Sequence, residues 1–170
     1  MAIDLIRGLY DYHRWANRRL FDVTVGLGDA VTRDMGKQWS VPTVKGMFAH
    51  LYGADGIWLA RWKGVAPARI AGDADFASMA DLRAKWDVLE AEQRAFIEAL
   101  DEAALARPVS YKTPRGEELT IALGPALQHV ANHATHHRSE AATMKFLGGN
   151  DTELVFAAEF EIVFGIDLSA

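Results

Sequence analysis

"PALQHVANHATHHRSEAATMKFL" (residues 125–147) puts four of the chain's six histidines within ten residues, at positions 129, 133, 136 and 137. Leu127, Val130, Ala131, Ala134 and Ala141 recur at steps of three and four or their multiples, the pattern of an amphipathic helix. Pro125 fits its first turn, and Gly148-Gly149 fits its C-terminal stop. Each helical residue advances by about 100°, so a wheel with Leu127 at zero ranks the histidines. His137 borders the apolar face, His133 follows, and His129 and His136 lie further out. Residues four apart carry Cβ atoms roughly 5–6 Å from each other, close enough for two imidazoles to share one ion. His133 and His137 are therefore the pair best placed inside a helical bundle, and His129 with His133 is a second pair nearer water. "HATHH" (133–137) lacks the glutamate of the H-E-x-x-H metalloprotease motif, and two histidines need further ligands from elsewhere.

Three more helical segments lie upstream. Residues 3–27 carry Leu5, Leu9, Tyr12, Ala16 and Leu20 on one predicted face. Residues 41–63 carry Val44, Met47, Phe48, Leu51, Trp58 and Trp62, with Ser40 as N-cap, Pro42 in the first turn and Gly64 as the stop. Residues 78–103 run from Ser78 through Leu82, Trp86, Leu89 and Phe96 to Leu100. Residues 64–76 read as a loop. In "PVSYKTPRGEELTIAL" (108–123), Val109 and Tyr111, then Leu119 and Ile121, alternate with polar residues around a turn, which predicts a short β-hairpin. "ELVFAAEFEIVF" (153–164) fits either a helix or a strand. The expected fold is all-α: one domain over 1–170, a four-helix bundle with a short β-hairpin or an extended insertion between its third and fourth helices. Such bundles hold metal ligands on facing helices.

Composition sets outer limits. The 170 residues suit one domain with a real core, and half of them are apolar. A net charge of −5 without a basic run argues against nucleic acid as a partner. The chain has no cysteine, which excludes disulfides, thiolate-bound zinc and an intrinsic thiol nucleophile. The N-terminal stretch reads as neither a signal peptide nor a membrane span, so a cytoplasmic protein away from membranes is expected.

His50, in "GMFAHLYGADGIW" (46–58), is the best ligand donor outside the histidine helix; the alternative is a core histidine bonded to backbone or carboxylate. His13, beside Arg14, reads as a surface residue. Asp55 and Arg138 fall on apolar faces, as an inter-helix ion pair, a snorkelling arginine stem or a support around the histidines; a structural role is the preferred reading. Trp15, Trp58, Trp62 and Trp86 take core spacings, and Trp39 lines a pocket or staples the start of the second helix.

Three motifs together resemble the DinB-like, YfiT-like superfamily of metal-binding four-helix bundles, which is unrelated to the DNA polymerase of that name. They are "YDYHRWANRRL" (10–20), "HLYGADGIWLARWKG" (50–64) and "HVANHATHHRSE" (129–140). The resemblance implies His50, His133 and His137 as the metal ligands; His129, Asp55, Arg138 and Glu140 are, by their helix positions, the candidates to surround them. The family's usual "HRGQ" is "HRSE" here, and Glu140 is read as a surface acid in preference to a partner of the histidines. Three imidazoles suit zinc or nickel, with iron or copper as alternatives, and leave a position open. The resemblance further implies a low-molecular-weight thiol activated on the metal to attack a small electrophilic substrate, and a homodimer. A metal-dependent hydrolase and a non-catalytic stress-response or interaction bundle are the alternatives.

Overall fold

The computed structural model describes residues 2–66, 69–113 and 115–147. The predicted Gly148-Gly149 stop and the tail from 150 to 170 lie outside them. Four helices are present: α1 (Ala2–Val25), α2 (Val44–Trp62), α3 (Met79–Glu98) and α4 (Leu123–Leu147). Strands β1 (Pro108–Lys112) and β2 (Glu118–Ala122) form an antiparallel hairpin between α3 and α4. The fold is thus an all-α bundle with a short β insertion, as the sequence implied. No helix among the described residues is long and apolar enough to cross a membrane.

Helix boundaries follow local chemistry. The second helix starts at Val44, not at 41, and its N-cap is Thr43, whose side chain accepts from the Gly46 amide at 2.9 Å. Pro42 explains the shift, because the residue before a proline is driven out of the helical region and Val41 cannot open a helix. At the other end Gly64 adopts φ +75°, with the Gly64 amide on the Arg61 carbonyl and the Val65 amide on that of Ala60. This is a Schellman termination, for which glycine is the natural residue. Helix α3 is capped by Ser78, which accepts from the Asp81 amide. It ends at Glu98, earlier than predicted, and a short 3-10 turn occupies Ala103–Ala106. Strand β2 runs directly into α4, where the Leu123 amide donates to the Arg107 carbonyl at 2.8 Å.

Helices α1 and α2 each pack against both α3 and α4, so the order around the bundle is α1–α3–α2–α4. The predicted buried faces of α2 and α4 are the observed ones. That of α1 is not. Leu5 is 77% exposed, Tyr12 and Trp15 are half-buried, and the inward stripe is Ile3, Tyr10, His13, Asn17, Leu20 and Thr24. The true face is rotated by about 90° from the apolar one, because polar residues occupy its centre.

The core is correspondingly divided. One apolar cluster gathers Leu20, Phe48, Leu51, Trp86 and Met144, and another gathers Tyr10, Trp62, Ile97, Leu123 and Leu127. Between them in sequence, on α1, α2 and α3, lie His13, Asn17, Asp55, Glu90 and Gln93, and Arg138 of α4 joins them; none is more than 3% exposed. Nε2 of His13 donates to the Asp55 carboxylate at 3.1 and 3.2 Å, and Trp86 Nε1 donates to the same carboxylate at 3.2 Å. Arg138 donates to Asn17 Oδ1 at 3.0 Å and to Thr135 Oγ1 at 2.8 Å. His13 is therefore a core residue, against the surface role expected of it. These bonds offset the burial of His13, Asp55 and Arg138, whereas both polar atoms of the Gln93 side chain are buried without a hydrogen-bond partner among the described residues.

One glycine fixes a close approach. A Cβ on buried Gly53 would lie 2.8 Å from Ile70 Cγ2, and closer still to the Ala71 carbonyl oxygen. Gly53→Ala is expected to push the 69–72 segment outward and cost about 1–3 kcal/mol, the usual range for overpacking. A urea titration of the variant checks this; an unchanged midpoint means that the segment gives way freely.

Candidate metal centre

Helix α4 presents its histidines at graded depth: His137 is buried, His133 half-buried, and His129 and His136 exposed. Helix α2 brings His50, also half-buried, against the first two. The three Nε2 atoms converge, with His50 to His133 at 3.2 Å, His50 to His137 at 3.2 Å and His133 to His137 at 3.1 Å. Two of these residues are one helical turn apart, and the third comes from across a helix–helix contact.

Three ring nitrogens so close can share one positive centre. Neutral imidazoles with protons on Nδ1 point three lone pairs at one another, which is repulsive without a cation. The triangle's edges are near those expected for a tetrahedral site with Zn–N of about 2.0–2.1 Å. The residues thus fit a divalent transition ion in both donor type and spacing.

The surroundings favour neutral rings. Burial first, then the neighbouring His137 and His50, push the His133 pKa down to about 4. Burial and His137 likewise lower that of His50, against a weaker raising effect of Glu140. Neutral imidazole is the ligating form.

Glu140 is not the surface acid that the sequence reading preferred. Its Oε2 accepts from His137 Nδ1 at 2.7 Å, and the amide and hydroxyl of Ser40 donate to the same carboxylate at 3.1 and 2.7 Å. Burial works to raise its pKa, but the hydrogen bonds from Ser40 and His137 outweigh it and hold it below the ordinary value. With its proton committed to Nδ1, His137 presents the Nε2 lone pair to the cluster, an arrangement that orients metal-bound histidines. The i, i+3 spacing of His137 and Glu140 was visible in the sequence. Ser40, a hundred positions away in a loop, was not. His133 Nδ1 is buried without a hydrogen-bond partner among the described residues.

The other candidates are placed apart. His129 stands outside the cluster, its ring 5.3 Å from that of Trp58 and 6.2 Å from that of His133. Asp55 holds His13 and Trp86 and none of the three converging histidines. A second grouping of His136, His137 and Glu140 uses the opposite nitrogen of His137, at a distance that marks a hydrogen bond. Trp39 packs half-buried against the cluster that holds Phe48, and with Thr43 as N-cap it does not occupy the staple position.

The sequence model of the DinB superfamily matches residues 14–141. The match includes α2, the hairpin and all three converging histidines, and the chain belongs to this superfamily. No curated protein matches the chain.

Proposed function

We propose that this member of the DinB superfamily binds one divalent transition ion, zinc or nickel, on His50, His133 and His137, and serves as a metal-dependent enzyme. The observation that carries the proposal is the mutual approach of the three Nε2 atoms to within 3.2 Å. When bound, such an ion supplies a Lewis acid that lowers the pKa of a thiol or water at its open position.

The protein's own residues have separable tasks. His50 and His133, half-buried, leave the cluster in reach of a small molecule. His137, deeper, is held in one tautomer by Glu140, and Ser40 keeps that carboxylate in place. No carboxylate among the described residues joins the three histidines in one cluster, which supports a position left open for substrate over a closed structural site.

Of the two enzymatic readings, the thiol-dependent transferase is the better supported. Hydrolysis by bound water needs a base, and Glu140 is the nearest acid. Its oxygens are engaged by Ser40 and by Nδ1 of His137, the nitrogen that faces away from the cluster. A thiol is far more acidic than water to begin with, so it would release its proton to solvent without a dedicated base if a metal held by these histidines lowered its pKa further.

Untagged protein, dialysed against zinc or nickel and then freed of excess, is expected to retain about one equivalent of metal. Cobalt-substituted protein is then expected to gain a sulfur-to-cobalt charge-transfer band on addition of 2-mercaptoethanol. Retention of no metal sinks the reading. Retention without the band removes the thiol chemistry and leaves a metal-binding bundle.

A further inference from the structure

The C-terminal end of α2, residues 64–66 and 69–70, and the β-hairpin border an open cavity of about 680 Å³. Its volume lies in the range of small-molecule sites. It is lined by Ile57, Val65 and Ile70 on the apolar side, and by Arg61, Arg69, Lys112 and the acid Glu118 on the charged side. Val65 and Ile70 are 57% and 48% exposed, two of the few large aliphatic residues left open to water among the described residues.

The three cations differ. Arg69 is paired with Asp75, and Lys112 with Glu118 at 3.4 Å. Arg61 has no carboxylate within ion-pair distance among the described residues. Its guanidinium lies 4.7 Å from the ring of Trp58 and 4.5 Å from that of Tyr111, and one nitrogen reaches the Lys112 carbonyl at 3.3 Å. Two aromatic rings and one carbonyl thus hold a half-buried cation in a fixed orientation at the wall of an apolar cavity. Burial lowers its pKa, the sign of a charge with incomplete compensation. A purely structural stack would explain the rings, but not the open aliphatic wall beside them.

We propose that this cavity is a binding site for a carboxylate-bearing small molecule, with the carboxylate on Arg61 and the apolar body against Ile57, Val65 and Ile70. A planar guanidinium offers a carboxylate two parallel hydrogen bonds, and a cation already fixed by its neighbours loses little freedom on binding. Arg61 lies on the same face of α2 as His50, eleven residues and about 16 Å further along. The site is therefore separate from the histidine cluster, and the proposal stands without a metal.

The test uses metal-free protein and two probes of nearly equal shape, 4-phenylbutanoate and its neutral amide, titrated by calorimetry. Wild type is expected to bind the carboxylate roughly ten- to a hundredfold more tightly than the amide, the worth of a charged hydrogen-bonded contact. Arg61→Met, which keeps an apolar stem, is expected to abolish that difference, and Arg61→Lys to retain part of it. His133→Ala is expected to leave both affinities unchanged, which separates this site from the metal centre. Equal affinity of the two probes for wild type, or no carboxylate binding, overturns the proposal. If Arg61→Met does not fold, the comparison of wild type with Arg61→Lys decides: undiminished discrimination in the lysine variant removes the role of the planar fork.

Discussion

Asp55→Ala is expected to destabilise the bundle by about 2–6 kcal/mol, the cost of leaving two buried donors without their shared acceptor. The carboxylate accepts from His13 and from Trp86, and the pair with His13 has side-chain exposures of only 1% and 4%. Truncation strands two buried donors at once, each at a penalty of about 1–3 kcal/mol. Against a typical total of about 5–15 kcal/mol, that loss is a large fraction of the fold's stability. Asp55→Asn is expected to recover less than half of it, because its amide oxygen can serve only one side of the site and its NH2 group meets another donor. Leucine at both 13 and 55 is expected to regain the part of the stability lost through His13, since buried pairs replaced by apolar groups are often neutral, while Trp86 Nε1 stays without its acceptor. Urea midpoints at unchanged slope measure all three. A loss below about 1 kcal/mol in Asp55→Ala means that these bonds contribute little, and the account of the polar layer then fails.

The second large effect concerns metal affinity. His137→Ala removes a converging nitrogen and is expected to weaken zinc binding by more than the 10- to 100-fold typical of losing an outer partner. Glu140→Gln is expected to fall within that 10- to 100-fold range. The amide oxygen still accepts from Nδ1 but carries no charge, and the bonds to Ser40 weaken with it. His136→Ala, which changes an exposed ring beside the same glutamate, is expected to leave affinity unaltered. Competition with a chromogenic chelator ranks the three variants. If His136→Ala weakens binding as much as His137→Ala does, the ion sits on the other face of His137, and the triangle of Nε2 atoms is not the site.

What the sequence disclosed followed from periodicity. The buried faces of α2 and α4 are marked mainly by apolar residues, so the wheel placed Met47, Trp62, Leu127 and Ala134 inward, where they lie. On α4 it also ordered the histidines by depth. Helix α1 misled because His13, Asn17 and Thr24 occupy its inward face while Leu5 and Trp15 do not, and hydrophobicity cannot identify a polar stripe that is buried against partners on other helices. The role of Glu140 needed Ser40, and a contact between a loop and a helix a hundred residues apart has no periodic signature. The start of α2 was decided by the restriction that Pro42 places on Val41, a local rule that the pattern of apolar residues does not contain.

The division of the core by polar residues has a consequence for alignment. A bundle filled only with aliphatic side chains can slide one helix along another by a turn, about 5.4 Å, and still bury oil against oil. Here such a slip would carry His13 or Asp55 into an apolar half with no acceptor or donor opposite. The register of α1 against α2 is thereby penalised at every step but one, a use of buried polar groups well attested in coiled coils. Through Arg138 and Asn17 the same penalty reaches α4. The three histidines come from two helices, and they meet only while those helices are in step. The doubly leucine-substituted bundle is therefore expected to be more stable than the Asp55→Ala variant and yet to hold its histidines in less certain alignment.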